Sequence, residues 1–298
     1  MKHLLKLEGM PSAAMEEILA SAKVIKAKRG GGEAKPLDGQ TWAMIFTKSS
    51  TRTRVSFEVG IRELGGSVMF LNANDMQLGR GEPIKDTARV LGRMVHGAVI
   101  RTFAQADVEE FAGYSGIPTI NALTDDEHPC QILTDIFTFQ ERRGPIRGKV
   151  VTYVGDGGCN VPVSWVHAAA ALDFELRIAA PSEFQPSAET LAKAGGNISC
   201  TQDIRAAVKG ADMVYTDVWV SMGMEAEAEE RLAKLAGYQI NGGLMCLAKP
   251  DALVMHCLPA YRGKEIDAET FEAHADTIFT QAENRLHTQK AILAWLAG

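Results

Sequence analysis

No run of about 18 consecutive apolar residues occurs anywhere in the 298-residue chain, which argues against a membrane-spanning helix. The opening residues, MKHLLKLEGMPSAAMEEIL, lack both a continuous apolar segment and a cleavage pattern, so a cytoplasmic protein is expected. Cysteine is sparse. The five, Cys130, Cys159, Cys200, Cys246 and Cys257, are scattered and never form a CxxC pair, which argues against a disulfide framework and against structural zinc. Positive charge is not in excess: 31 Lys and Arg against 37 Asp and Glu leave a net charge of -6. Nucleic acid and anionic membrane surfaces favour a basic face, so neither is an expected partner, and any anion site must be local. There is no sequence repeat, low-complexity tract or block of like charge.

What the chain does have is 46% apolar residues, enough for two cores, and its length fits about two domains. Ser12 is placed to cap a first helix carrying Met15, Ile18, Leu19, Ala22 and Ile25 on one face, ended by Gly30, Gly31 and Gly32. Short apolar runs then alternate with helical patterns: TWAMIF before 54–64, SVMFL before 84–95, GAVIR before 108–114, and PTINAL before 131–142. A second series, KVVTYVG, ELRIAA, ADMVYTDVW, ALVMHCL and TIFTQ, predicts another parallel sheet. Gly144-Pro145 is the clearest break near mid-chain. The expectation is an α/β fold of two domains, each a mostly parallel sheet flanked by helices. They span 1–143 and 144–283, with a terminal helix at 284–298 joining the first.

Ligands of open α/β sheets bind beyond the carboxyl ends of the strands, so polar residues there carry most functional weight. After TWAMIF come Ser50, Thr51, Arg52, Thr53 and Arg54, at the expected start of a helix whose free N–H groups favour an anion. One Ser-Thr pair before a helix is usually a cap; five consecutive hydroxyl and guanidinium residues point to anion binding. Arg101 ends GAVIR, and His128 and Gln131 follow PTINAL. Singly these read as a strand-end charge and a turn-closing residue, but they share an edge with the Ser-Thr-Arg cluster.

In the second half, VGDGGCN follows a strand, yet its third glycine position is Asn160 and no acidic residue ends ELRIAAP, so the dinucleotide fingerprint fails. Asp217 ends another strand, followed by Ser221, Met222 and Gly223; a carboxylate there suits an ammonium group. His256, Cys257 and Leu258 end ALVM before Pro259. Adjacent strand residues face opposite sides, so His256 and Cys257 do not form a nucleophile–base pair. Arg285 is expected at a helix start after TIFTQ.

The segments STRTR, HPCQ, DVWVSMG and HCLPAYRG, with LNANDMQLGRGEPIKDTARVL and QAENRLHTQKAIL, resemble those of the ornithine carbamoyltransferases within the aspartate/ornithine carbamoyltransferase family. The resemblance covers essentially the whole chain. It implies transfer of a carbamoyl group from carbamoyl phosphate to the side-chain amine of ornithine, giving citrulline and phosphate, with no cofactor or metal. It implies that Ser50, Thr51, Arg52, Thr53 and Arg101 hold the phosphate, with Gln77 reaching in from a neighbouring subunit of a homotrimer. His128, Gln131, Arg101 and Thr53 are implied around the carbamoyl group, which also meets the Leu258 carbonyl, with Arg285 assisting. Asn160, Asp217, Ser221 and Met222 are implied on the amino-acid end of ornithine, and Cys257 near the reacting amine. Arg101, His128 and Cys257 are the implied catalytic residues.

The chain departs from the family where Cys159-Asn160 replaces a common asparagine pair and Val163 replaces another asparagine. Carbamoyl transfer to another amine, a noncatalytic carbamoyl phosphate binder, and a dehydrogenase built on VGDGGCN stand as rivals. DVWVSMG, and the joint presence of Asp217, Ser221 and Cys257, favour free ornithine and catalysis.

Overall fold

Thr41–Phe46, buried at five of its six positions, forms strand β1, as expected of a strand with helices over both sheet faces. The computed structural model describes residues 1–32, 34–72, 76, 81–221 and 225–298. Gln77 and Met222 lie outside them. The chain forms two units, Met1–Phe137 with Glu283–Gly298, and Thr138–Ala282.

In the first unit, helix α1 (Ser12–Ala27) precedes β1, and α2 (Thr51–Glu63) leads to β2 (Ser67–Asn72). Then follow α3 (Ile84–Leu91), β3 (Gly97–Arg101), α4 (Gln105–Ser115), β4 (Thr119–Leu123) and α5 (Pro129–Arg143). All pairings are parallel, in the order β2-β1-β3-β4. The chain therefore leaves β1 in one direction and resumes at β3 on the other side, which opens a crevice above the carboxyl ends of β1 and β3. Close packing shapes the residue choice at the start of β3: a Cβ on Gly97 would lie 2.6 Å from the Trp42 ring.

The second unit runs β5 (Val150–Val154), α6 (Asn160–Leu172), β6 (Glu175–Ala179), α7 (Ala188–Ala194), β7 (Ile198–Thr201), α8 (Ile204–Val208) and β8 (Met213–Thr216). After α9 (Ala228–Leu235), α10 (Gly242–Met245) and β9 (Leu253–His256) come α11 (Ala268–Ala273) and α12 (Ala275–Ala297), whose residues from Glu283 on belong to the first unit. The parallel order is β7-β6-β5-β8-β9, so the switch point lies between β5 and β8. Trp165 on α6 packs edge-on against Phe174 and Tyr215, filling the space between helix and sheet.

Three sequence expectations are corrected. TIFTQ is the first part of α12, a single 23-residue helix, and not a strand. Its β-branched residues suggest a strand, but Thr277, Ile278, Gln281, Asn284, Arg285 and Thr288 are buried at helical spacing. Arg285 therefore sits inside a helix and not at its start. The fifth strand of the second sheet is instead β7, a four-residue edge strand too short to show a period. Finally, Ser12 is the first residue of α1, not its cap; Pro11 occupies the N-cap and makes no side-chain bond. Among the described residues, no helix is long and apolar enough to cross a membrane.

Candidate active site

In the first unit the polar cluster is built from three strand ends and one returning helix. Ser50 is the N-cap of α2: its backbone is extended, and its Oγ accepts the Thr53 N–H at 3.2 Å. The other N–H groups of the first turn, with the dipole of this 13-residue helix, favour an anion. Thr51 is exposed, Arg52 half-buried and Thr53 buried. Arg54 lies with its guanidinium 3.7 Å from the Phe70 ring centroid. An open cavity of about 480 Å3 at the end of β1 is lined by Lys48, Ser49, Ser50, Thr51, Arg54 and Phe70, among others.

Arg101 ends β3, where the pairing with β4 shifts register between Ile100 and Arg101. Such a shift re-aims the side chain that follows it. The buried Arg101 carbonyl accepts from the N–H of Thr47, tying the loop after β1 to the end of β3 at 2.9 Å. Gln131, in the first turn of α5, is held by α12: Arg285 Nη1 donates to its Oε1 at 2.5 Å, and its own Nε2 donates to Asp135 Oδ1 at 2.9 Å. Arg285 Nη2 also reaches Thr53 Oγ1 at 3.3 Å. Burial, with the positive charges of Arg285 and Arg101, holds His128 well below the ordinary histidine pKa. His128 is thus a neutral imidazole beside two guanidinium groups.

In the second unit the polar residues stand at the ends of β5, β8 and β9. The turn after β5 runs Gly155, Asp156, Gly157, Gly158, Cys159, and it is packed tightly: a Cβ on Gly157 would meet the Ile178 side chain at 2.6 Å. Asn160 opens α6. Asp217, buried after β8, accepts from the Cys257 thiol at 2.8 Å and from the Val218 N–H at 2.7 Å. Burial raises its pKa. Ser221 is half-exposed. Leu258 adopts a left-handed conformation at φ 61°. Burial pushes the Cys159 thiol well above its ordinary value, so that cysteine is unreactive.

Asp217, His256 and Cys257 bring three possible metal donors within 4.8 Å of one another. Both ring nitrogens of His256 are already engaged, by Glu265 at 3.1 Å and by the Leu258 N–H at 2.9 Å. Two donors remain, fewer than the three or four protein ligands of a zinc site.

The first unit thus brings together Ser50, Thr53, Arg101, His128, Gln131 and Arg285, and the second brings together Asp217 and Cys257 beside Leu258. Several supporting residues went unnoticed in the sequence. Lys48 is buried, paired with Asp125 and 4.1 Å from the Phe103 ring centroid. Asp135 orients Gln131. Arg231 pairs with buried Asp156 and donates from Nε to the Trp219 carbonyl at 2.9 Å, linking the loops after β5 and β8. An i,i+4 spacing from Gln131 could have signalled Asp135; Arg231 had no comparable sign, being one charge in an acidic helix.

Two parallel α/β units with donor-rich strand ends in one and a buried carboxylate–thiol pair in the other define a protein that handles small polar molecules, an anion among them. Residues 2–141 match the family model described as aspartate/ornithine carbamoyltransferase, carbamoyl-P binding domain, and residues 147–296 match its Asp/Orn binding domain. The chain belongs to the aspartate/ornithine carbamoyltransferase family. It is 54% identical over 300 residues to the ornithine carbamoyltransferase of Akkermansia muciniphila, covering 100% of this chain and 98% of that one. Against the enzyme of Methylococcus capsulatus the identity is 51% over 295 residues, with 99% and 98% covered. The solved structure of ornithine carbamoyltransferase from Pyrococcus furiosus superposes with a TM-score of 0.93 at 45% identity, covering 100% of this chain and 97% of that one. The anabolic enzyme of Campylobacter jejuni gives 0.94 at 43%, with 99% of both chains covered.

Proposed function

We propose that this chain transfers the carbamoyl group of carbamoyl phosphate to the side-chain amine of L-ornithine, releasing L-citrulline and phosphate. The observation that carries this reading is the buried donor set of Arg101, Arg285, Gln131 and neutral His128 beside the N-terminus of α2. Such a set suits a small dianion whose carbonyl oxygen gains charge during reaction.

The hydroxyl and N–H groups of Ser50, Thr51, Arg52 and Thr53 hold the phosphate, with Arg101. Attack by the neutral amine on the carbamoyl carbon moves charge onto the carbonyl oxygen. Arg101 and the N–H of His128 stabilise it; phosphate then leaves with the electrons of the broken C–O bond and takes up the proton that the amine nitrogen gives up. Each positioned donor contributes about 2.7–4 kcal/mol to the transition state. The Leu258 carbonyl accepts from the carbamoyl nitrogen. Asn160, Asp217, Ser221 and Met222 take the amino-acid end of ornithine, and Cys257 lies near the reacting amine. The working form is a cytoplasmic homotrimer in which Gln77 completes a neighbour's phosphate site, and the domain limits are 1–143 with 284–298, and 144–283.

The test incubates purified protein with carbamoyl phosphate and a panel of amines, measuring carbamoylated product and phosphate together. Ornithine gives both in equal amounts; background levels of both with ornithine would reject the reading.

A further inference from the structure

His256 ends β9 and Glu265 lies on the loop that follows; both side chains are without accessible surface. Nε2 of His256 is 3.1 Å from Glu265 Oε1. On the other edge of the ring, Nδ1 accepts the Leu258 N–H at 2.9 Å. An accepting nitrogen carries no proton, so the ring hydrogen sits on Nε2 and is donated to Glu265. Glu265 is itself fixed: its Oε1 also accepts the Tyr261 N–H at 2.5 Å, and its backbone carbonyl accepts the Ile240 N–H at 2.9 Å.

The contact with Nδ1 falls on a residue that needs it. Leu258 sits at φ 61°, where a side chain crowds its own backbone, so the turn holds only if its surroundings impose it. The preceding residue, Cys257, donates its thiol to Asp217 at 2.8 Å. One carboxylate is thus linked, through one imidazole, to the peptide that joins Cys257 and Leu258.

We propose that Glu265 is a positioning residue: by holding His256 in its Nε2–H form it makes Nδ1 the acceptor for Leu258, and so sets the directions of the Leu258 carbonyl and the Cys257 thiol. The catalytic consequence rests on the carbamoyl-transfer reading above; the tautomer and the thiol geometry do not.

The test uses the full chain and two variants. Glu265→Gln keeps an oxygen that accepts from both His256 and Tyr261, while Glu265→Ala removes it. Glu265→Ala lowers kcat for citrulline formation about ten- to a hundredfold, the scale of a small misplacement of reacting groups. Carbamoyl phosphate affinity stays within about twofold, and Glu265→Gln keeps kcat within about threefold of the parent. Equal kcat in parent and Glu265→Ala, or equal damage in both folded variants, would overturn the proposal, whatever the melting temperatures.

Two readouts need no turnover. In the parent protein carrying 15N-labelled histidine, the signal lost in His256→Asn has the Nε2–H pattern; an Nδ1–H pattern overturns the proposal even if Glu265→Ala does not fold. Alkylation of Cys257 by iodoacetamide, read by peptide mass spectrometry, is faster in Glu265→Ala than in Glu265→Gln, and equal rates count against it. A parent that makes no citrulline yet shows the tautomer and alkylation pattern rejects the function and leaves the positioning role intact.

Discussion

Arg285 and Gln131, 154 residues apart, are joined within the first unit by a 2.5 Å hydrogen bond from Nη1 to Oε1. The same guanidinium reaches Thr53, and Asp135 takes the other end of the Gln131 amide, so the amide has one possible orientation: oxygen towards Arg285, nitrogen towards Asp135. Residues from α2, α5 and α12 are thereby locked before any substrate arrives, which is the condition for electrostatic stabilisation without reorganisation.

Arg285→Lys is accordingly not a mild change. An ammonium cannot reach both Gln131 and Thr53 from one rigid fork, and the lost donor leaves a buried acceptor unpaired. Steady-state kinetics should show kcat lowered at least about tenfold in Arg285→Lys and about a hundredfold in Arg285→Ala. Full activity in the lysine variant would show that the fork geometry is irrelevant.

The two halves should fail separately. Arg52 is half-buried in the first turn of α2, and Asp217 is a buried carboxylate in the other unit. A hydrogen bond to a charged group is worth about 1.5–3 kcal/mol, or about ten- to a hundredfold in affinity. Arg52→Ala should weaken carbamoyl phosphate by that factor, and Asp217→Asn should raise the KM for ornithine. Titration of carbamoyl phosphate alone, followed by kinetics with each substrate varied, checks the division; equal losses for both substrates in both variants contradict it.

The two parallel sheets could be read from the sequence because their strands are short apolar runs between helical patterns, and the ends of those runs pointed to Ser50, Arg101, His128 and Asp217. What stayed hidden depends on long-range contact. TIFTQ has the composition of a strand but is buried at helical spacing, and β7 has only four residues. Arg285 had no visible partner because Gln131 and Thr53 are distant in sequence. Nothing in the local sequence marks Glu127, Lys48 and Glu265 as buried, since burial of a charged side chain is decided by whatever packs over it.

Packing supplies a further prediction at Gly92, just after α3. Its φ of -62° is open to any residue, so conformation does not demand glycine there. Space does: a Cβ would lie 1.8 Å from the Ser115 carbonyl oxygen at the end of α4, a backbone atom that cannot rotate away. Gly92→Ala should therefore destabilise the protein by about 1–3 kcal/mol through overpacking, measured as a lowered urea midpoint with unchanged slope. An unchanged midpoint would mean that α3 and α4 separate at little cost.

Glu127 offers a test by pH. Its buried carboxylate accepts the N–H groups of Leu7 at 2.6 Å and Glu8 at 3.1 Å, fastening the N-terminal segment to the loop before His128. Burial outweighs those two donors and pushes its pKa from 4.5 up to about 7. Between those values the folded protein holds a proton that the unfolded chain has released. The stabilising contribution is therefore complete below about pH 4.5 and is lost as pH rises through about 7, a change of about 3 kcal/mol. Glu127→Gln cannot titrate. Urea unfolding of parent and variant from about pH 5 to 8 should show the parent losing stability relative to the variant as pH rises; parallel curves would mean that the two backbone donors keep this carboxylate ionised throughout.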